Sequence, residues 1–295
     1  MADDFFETYE SVGNREDLID VITNISPTDT PMLSRFGRTT ARSTYHEWQK
    51  DSLADASSNK VPEGTDVDAT STNATTRVGN YTQILRKSWR VTDTQEAIDK
   101  AGRDSEYEYQ MAKKMKELAK DIEYAIVNGS QASGATGTAR EMKGVLNFIS
   151  TNVETGSGTG DEDLDEGMYN DLLETIWNEG GDPDVTYASG PQKRAISNFT
   201  ANSTRNIGAE SNRLTASVDV YESDFGLQTI IADRYIPDKQ LVVLEEEMWK
   251  TAYLRPVQSK RLPDDGGGPK GKVEAELTLE ALNEASSGKI TELNT

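Results

Sequence analysis

The sequence predicts an α+β fold, and three observations carry that prediction. One long amphipathic helix stands alone near residue 105, strand-like runs of alternating polarity are scattered on both sides of it, and they do not follow a regular βαβ order. Between two of the runs lies a polar stretch, Lys50 to Thr76, whose only large apolar side chains are Leu53, Val61 and Val67. Such a stretch cannot bury enough surface to offset its own ordering entropy, so it is expected to order only against something outside itself.

The first element is a short helical pattern from Arg15 to Ile25, with Leu18, Ile19 and Ile22 on one side, ended by Ser26-Pro27. An extended N-terminal arm is expected to follow, basic at Arg35, Arg38 and Arg42. Next come the strand runs Ser43 to Gln49 and Arg77 to Val91. In the first, Tyr45 and Glu47 share one face and His46 and Trp48 the other; in the second, Gln83, Leu85, Lys87, Trp89 and Val91 share a face. Read as one out-and-back hairpin of roughly 20 residues a side, the pair would reach about 60 Å. A compact chain of this length has a radius of gyration of only about 19 Å, so the hairpin would project beyond its own subunit.

The long helix begins at a capping box, Ser105-Glu-Tyr-Glu108, and ends near Asn128-Gly129. Tyr107, Met111, Met115, Leu118, Ile122 and Ile126 form one stripe over about 33 Å, opposite Lys113, Lys114, Lys116 and Lys120. Small residues then surround an apolar patch, Val145 to Ile149, which suggests a change of domain. No Lys or Arg occurs between Gly144 and Gln192, while acids accumulate from Glu154 to Asp184. A helix is expected from Asp165 to Gly180 with Met168, Leu172, Leu173, Ile176 and Trp177 inward. Strands are expected at Asp184 to Ala188, Ser217 to Tyr221 and Gly226 to Ala232, with a helix from Pro191 between the first two. Gln240 to Glu245 and Met248 to Arg255 read as a strand pair. After a Gly-rich turn from Pro263, a last strand buries Val273, Ala275, Leu277 and Leu279 and turns Glu274, Glu276, Thr278 and Glu280 outward.

Charge and composition narrow the function. Thirty-one Lys and Arg stand against 51 Asp and Glu, a net charge of −20, which argues against gripping nucleic acid or anionic lipid by charge. Copies carrying that charge repel, so any self-association is expected to strengthen with salt or divalent cations. With no cysteine there is no disulfide framework, thiolate metal site or thiol nucleophile. The start of the chain lacks a signal-peptide pattern and no window approaches a membrane span, so a soluble protein made in the cytoplasm is expected.

Chemical motifs are weak. Gly266 to Lys272 matches the opening of a phosphate-binding loop, but Val273 stands where a hydroxyl is needed and a strand follows where a helix should begin. Asp161, Asp163 and Asp165 alternate as in a calcium loop, but Glu166 and Leu172 occupy positions that should hold Gly and Glu. A solvated acidic turn ending in an Asp165 N-cap is the simpler reading. His46 is the single histidine, and it lies in a strand, where a packed or surface role is the ordinary one. Trp48, Trp89, Trp177 and Trp249 are too scattered for a sugar-binding cleft. No catalytic, cofactor or metal site is expected.

Several segments together carry a resemblance: Asn14-Arg-Glu-Asp-Leu with Asn24 to Leu33, His46-Glu-Trp-Gln, Arg77 to Gln83, Val91 to Arg103 with the helix that follows, Trp177 to Phe199, and Lys272 to Ile290. In this order they resemble the tailed-bacteriophage major capsid (major head) proteins with the Hong Kong 97-type (Johnson) fold. The resemblance implies an N-terminal arm over residues 1–42, an extended β-hairpin or E-loop over 43–92, a peripheral domain over 93–150 and 233–295 with a spine helix at 105–127, and an axial domain over 151–232. It also implies a subunit that self-assembles as pentamers and hexamers into an icosahedral head enclosing double-stranded DNA without reading its sequence. Portal, scaffold and decoration proteins are the partner classes such a head admits, with no membrane and a virion location. Intersubunit contacts are expected at Arg35, Arg38, Arg42, Trp48, Lys50, Lys60, Arg86, Lys87, Trp89 and Arg90. Some capsids of this fold join a Lys to an Asn covalently; Lys50 and Lys60 lie in the hairpin, but no carboxylate catalyst is evident beside either. The competing readings are a soluble acidic hydrolase, which would be a monomer or dimer with one deep cleft, and another self-assembling virion part such as a tube subunit.

Overall fold

The structure, a computed structural model, describes residues 29–54, 56–66, 74–99, 102–156, 162–199, 219–264 and 266–294. The expected helix at 15–25 lies outside them, as do residues 217 and 218 of one expected strand. In chain order the first half comprises α1 (Pro31–Arg35), β1 (Gly37–Thr40), β2 (Tyr45–Lys50), β3 (Thr76–Tyr81), β4 (Gln83–Arg90), α2 (Asp93–Ala97), α3 (Glu106–Asn128), β5 (Ser130–Ala132), β6 (Glu141–Lys143) and α4 (Val145–Phe148). The second half comprises β7 (Asn152–Thr155), α5 (Glu166–Asn178), β8 (Val185–Ala188), α6 (Gly190–Ser197), β9 (Val220–Ser223), β10 (Gly226–Ala232), β11 (Leu241–Leu244), β12 (Trp249–Leu262), β13 (Lys270–Ala281) and β14 (Gly288–Thr291).

The long helix α3 forms where its pattern places it, and its start is capped twice. Ser105 Oγ accepts the Glu108 amide at 3.2 Å, and Glu96 Oε2, reaching from α2, accepts the amides of Glu106 and Tyr107 at 3.1 and 3.3 Å. Three of the amides that a helix start leaves without partners are thereby satisfied. Leu118, Ile122 and Ile126 are buried, whereas Met115 is 40% exposed, so only the C-terminal half of the stripe is fully covered by the chain itself. Gly129 ends the helix with φ −51°, not the left-handed turn that the Asn-Gly pair suggests. Its missing side chain serves close packing instead: a Cβ there would lie 2.2 Å from the Met142 carbonyl oxygen.

Against α3 lies a four-stranded sheet in the order β1-β12-β13-β4. Val273, Ala275, Leu277 and Leu279 of β13 have no exposed surface and meet Leu85 and Trp89 of β4 in the core. The opposite face of β13 departs from expectation. Thr278 is fully buried, and Glu274 and Glu276 are each only 5% exposed because basic side chains from neighbouring elements lie over these two carboxylates. β12 is bulged between Tyr253 and Gln258, around Pro256, which has no N–H to give to the ladder.

The segment from 31 to 41 is part of this body rather than a free extended arm. Met32 and Phe36 are buried, Phe36 stacks on Trp249 at 6.3 Å, and β1 runs parallel to β12. The hairpin also differs from its expected form. Its return run divides at Thr82, whose amide donates to the Thr44 carbonyl: β3 pairs with β2, and β4 leaves to pair with β13. The paired stem runs from Tyr45 opposite Tyr81 to Lys50 opposite Thr76, about 20 Å long.

The second sheet has six strands in the order β7-β14-β11-β8-β10-β9. Alternation in β8 and β11 shows that both its faces are covered. Val185, Tyr187, Val242 and Leu244 join the α3 core, while Ala188, Leu241 and Val243 join a second core with Leu172, Leu173 and Ile176 of α5 and Ile196 of α6. The expected pairing of 240–245 with 248–255 does not occur. A 3-10 turn at Glu246–Met248 carries the chain from β11 in one sheet to β12 in the other. On α5, Asp165 caps the Met168 amide at 2.8 Å as expected, but Trp177 is 58% exposed. It sits at the edge of the stripe set by 169, 172, 173 and 176. Tyr169 points inward instead, its hydroxyl 2.7 Å from Thr186 Oγ1.

Candidate assembly surfaces

Every described residue between 51 and 66 is exposed, Leu53 to 98% and Val61 to 67%. The stem that carries this loop is well fixed. Tyr45 and Tyr81 pair across it at 4.6 Å, Trp48 lies 6.2 Å from Phe148, and His46 Nε2 is 3.4 Å from Glu280 Oε2. Asn80 completes the seat, donating to the carbonyls of Leu279 and Lys143 and accepting the Lys143 amide. A rigid base therefore presents an uncovered, polar loop.

The residues expected to meet neighbours divide into two groups. The chain itself engages Arg35, whose guanidinium holds Glu246 while the Tyr187 hydroxyl donates to the same carboxylate. Arg86 pairs with Glu274 at 3.1 Å, Lys87 with Asp121 at 2.6 Å, and Arg90 donates to the Gly266 carbonyl. Trp89 is 7% exposed, 5.4 Å from Tyr107, and Gly271 is held flat against both rings. Trp48 is half-buried over the core. Both indole N–H groups are buried without an acceptor among the described residues. Arg38, Arg42 and Lys60 are exposed and Lys50 is half-buried, and none of the four makes an ion pair among the described residues.

Two carboxylate clusters were not legible beforehand. On the outer face of the first sheet, Glu276 accepts Arg140 Nη2 at 2.7 Å, Arg255 Nε at 2.8 Å and Thr82 Oγ1 at 3.0 Å. Glu274 accepts Lys272 at 2.8 Å and Arg86 and Arg255 at 3.1 Å. The Lys272 ammonium, helped by the two guanidinium groups, holds the Glu274 carboxyl below the usual range. Burial pushes it the other way, but the surrounding cations outweigh that.

The other cluster joins three elements. Pro31 has no N–H and Thr30 does not cap α1, so the amides of Met32 and Leu33 need an outside acceptor. Glu123 of α3 supplies it, Oε1 to Met32 and Oε2 to Leu33, both at 2.8 Å. Glu123 is wholly buried, and burial pushes its carboxyl up to about 7 despite those two bonds. Asp233 also acts on it electrostatically; it is 2% exposed and likewise raised by burial, and its Oδ1 accepts the Tyr235 amide. The Asp233 carboxylate adds to burial in favouring the protonated form of Glu123.

Of the calcium-like turn, Asp163 Oδ1 accepts Asn294 Nδ2 and Asp165 caps α5, while Asp161 lies outside the described residues. The glycines at 266, 267 and 268 take positive φ in the turn between β12 and β13, with a strand rather than a helix after them. Among the described residues, no helix is long and apolar enough to cross a membrane.

A subunit with two cores sharing one sheet, a rigid stem and an uncovered polar loop belongs to the class of shell-forming structural proteins. The comparisons bear this out. The fold matches the capsid of the native GTA particle with a TM-score of 0.70, at 9% identity and covering 96% of each chain. It matches the cyanophage A-1(L) capsid with a TM-score of 0.67, at 12% identity over 97% of this chain and 98% of the other. This is the Hong Kong 97-type fold of phage capsids. The major capsid protein of Escherichia phage Phieco32 is 24% identical over 335 residues, covering 96% of this chain and 95% of its own. Residues 5–294 match the SU10 major capsid protein family, and the chain belongs to it. The family is one of structural capsid subunits, not of enzymes.

Proposed function

We propose that this capsid subunit assembles as pentamers and hexamers into an icosahedral head enclosing phage double-stranded DNA, after synthesis in the cytoplasm of a bacterial host. In this reading residues 43–92 form the E-loop and α3 the spine helix. Residues 1–42 form the arm, whose last part from Pro31 is laid into the body of its own subunit, 93–150 with 233–295 the peripheral domain and 151–232 the axial domain, with β11 and β14 of the returning chain lying in the same sheet as β7 to β10. The loop beyond the β2–β3 stem lies on a neighbouring copy. Arg38, Arg42, Lys50 and Lys60, which make no ion pair among the described residues, face acidic surfaces across that contact. Portal, scaffold and decoration proteins would meet the finished shell.

One observation carries the reading: the exposed loop has no core of its own, yet its base is held by buried hydrogen bonds and paired aromatic rings. Deleting Ser52 to Thr75 and closing the stem with a short turn tests it. The expected outcome is a subunit that unfolds at the same urea concentration as the parent and forms no shells by negative-stain microscopy. Normal shells from the deletion would sink the reading.

A further inference from the structure

An apolar groove of about 510 Å³ runs between α3, β1 and the bulged part of β12. Leu118 and Ile122 form its buried floor, while Met115 and Val257 at its rim remain 40% and 44% exposed. Arg38 is the one charged side chain lining it, exposed and without an ion pair among the described residues. An unpaired arginine over an apolar groove, in a chain of net charge −20, marks a place where an acidic segment with an apolar anchor gains on both counts.

Such a segment is present in the same chain. Residues 51–75 carry acids at 51, 55, 63, 66 and 68 against the single Lys60, a net charge of −4. Leu53 stands between Asp51 and Asp55, and its 98% exposure shows that its own subunit does not cover it. We propose that Leu53 of one copy seats in the groove of a second copy, where its flanking acids meet Arg38. The proposal rests on the reading of the loop as an intersubunit arm and adds the surface that receives it. Burying Leu53 against Met115 and Val257 removes three exposed apolar side chains from water at once. The groove lining holds no carboxylate, so the acidic loop meets no like charge there. Arg38 therefore sets where along the neighbour the loop comes to rest, a matter that apolar contact alone leaves loosely defined.

The absence of cysteine makes cross-linking a clean test. Chains carrying Leu53→Cys and chains carrying Val257→Cys are made separately, co-assembled and oxidised. Disulfide-linked dimers are expected in the mixture well above the level either variant gives alone, with Met115→Cys as a second groove position. Adding Arg38→Glu to the groove chain should lower the yield several-fold at about 0.05 M salt and less at about 0.5 M. In parallel, a benzophenone probe attached at Leu53→Cys and photolysed in finished particles reports its neighbour by peptide mapping. Capture of another copy away from the groove overturns this inference and leaves the intersubunit reading standing. Absence of any captured second copy in intact shells overturns both. A link from Ile22→Cys to Val257→Cys, with none from Leu53→Cys, would give the groove to the N-terminal residues and also overturn the inference.

Discussion

On β13 the subunit encloses Glu274 and Glu276 beneath arginine and lysine side chains, whereas at the junction of α1 and α3 it encloses Glu123 and Asp233 with no cation among their hydrogen-bond partners. The same functional group is thereby driven in opposite directions. Cations hold Glu274 below the usual range, and burial raises Glu123 to about 7. Enclosure alone does not fix the state of a carboxyl; the material that encloses it does. The first cluster ties strands of one sheet together by charge, while the second uses a protonated acid to cap a short helix that lacks its own cap.

The sharpest way to separate the two clusters is their pH dependence. Glu123 has a folded value of about 7, above the ordinary 4.5, so the unfolded chain releases this proton first. Its contribution to stability is complete below about pH 4.5, falls as pH rises to about 7, and is level above that. The fall amounts to about 3 kcal/mol across the window. Glu123→Gln cannot ionise, and its one oxygen can accept only one of the Met32 and Leu33 amides, a loss that is the same at every pH. Urea midpoints of the unassembled subunit, taken every half pH unit, should flatten across this window in the variant. An unchanged slope would place the proton elsewhere.

How much of this was legible in the sequence depends on how far apart the partners lie. The Ser105 cap of α3, the Asp165 cap and the inner face of β13 rest on local spacing, and each formed as read, although among the described residues only the Ser105 Oγ half of the expected capping box is made. The outer face of β13 read as a solvated acidic stripe because its cations come from residue 86, residue 140 and β12. Glu123 gave no signal, since its donors lie 90 and 91 residues earlier and its carboxyl partner on another loop. The strand pair at 240–255 failed for a related reason. A short gap between alternating runs suggests a hairpin, but Arg35 and Tyr187 hold Glu246 in a turn that sends the chain into another sheet. Arg35, Arg86 and Lys87 were expected to face outward as basic groups in an acidic chain, and that same acidity supplies each with a carboxylate in its own subunit.

Removing one cation from the β13 cluster should cost less than the Glu123 window spans, with the opposite dependence on pH. Arg255 contacts both Glu274 and Glu276, but its side chain is 44% exposed, and Arg86, Arg140 and Lys272 remain after its loss. Arg255→Met is expected to lower stability by about 2 kcal/mol at neutral pH, discounted from the full penalty of a broken buried pair. Glu274 is depressed, so the stability it contributes is present above the ordinary carboxyl range and lost as pH falls through its lowered value. The variant and the parent should therefore converge in acid. A penalty that grows toward low pH would mean that the cluster is not held by charge.

The smallest effect is expected where the distance is shortest. Lys87 lies 2.6 Å from Asp121, closer than any cation approaches Glu276, yet the two side chains are 32% and 41% exposed. Water screens both ions and each keeps rotamer freedom when the pair is broken, so Lys87→Met should cost no more than about 0.5 kcal/mol, and less in high salt. Urea unfolding at two ionic strengths measures it. A loss as large as that of Arg255→Met would show that separation, rather than the surroundings, sets the strength of these pairs, and would remove the basis for setting the two carboxylate clusters apart.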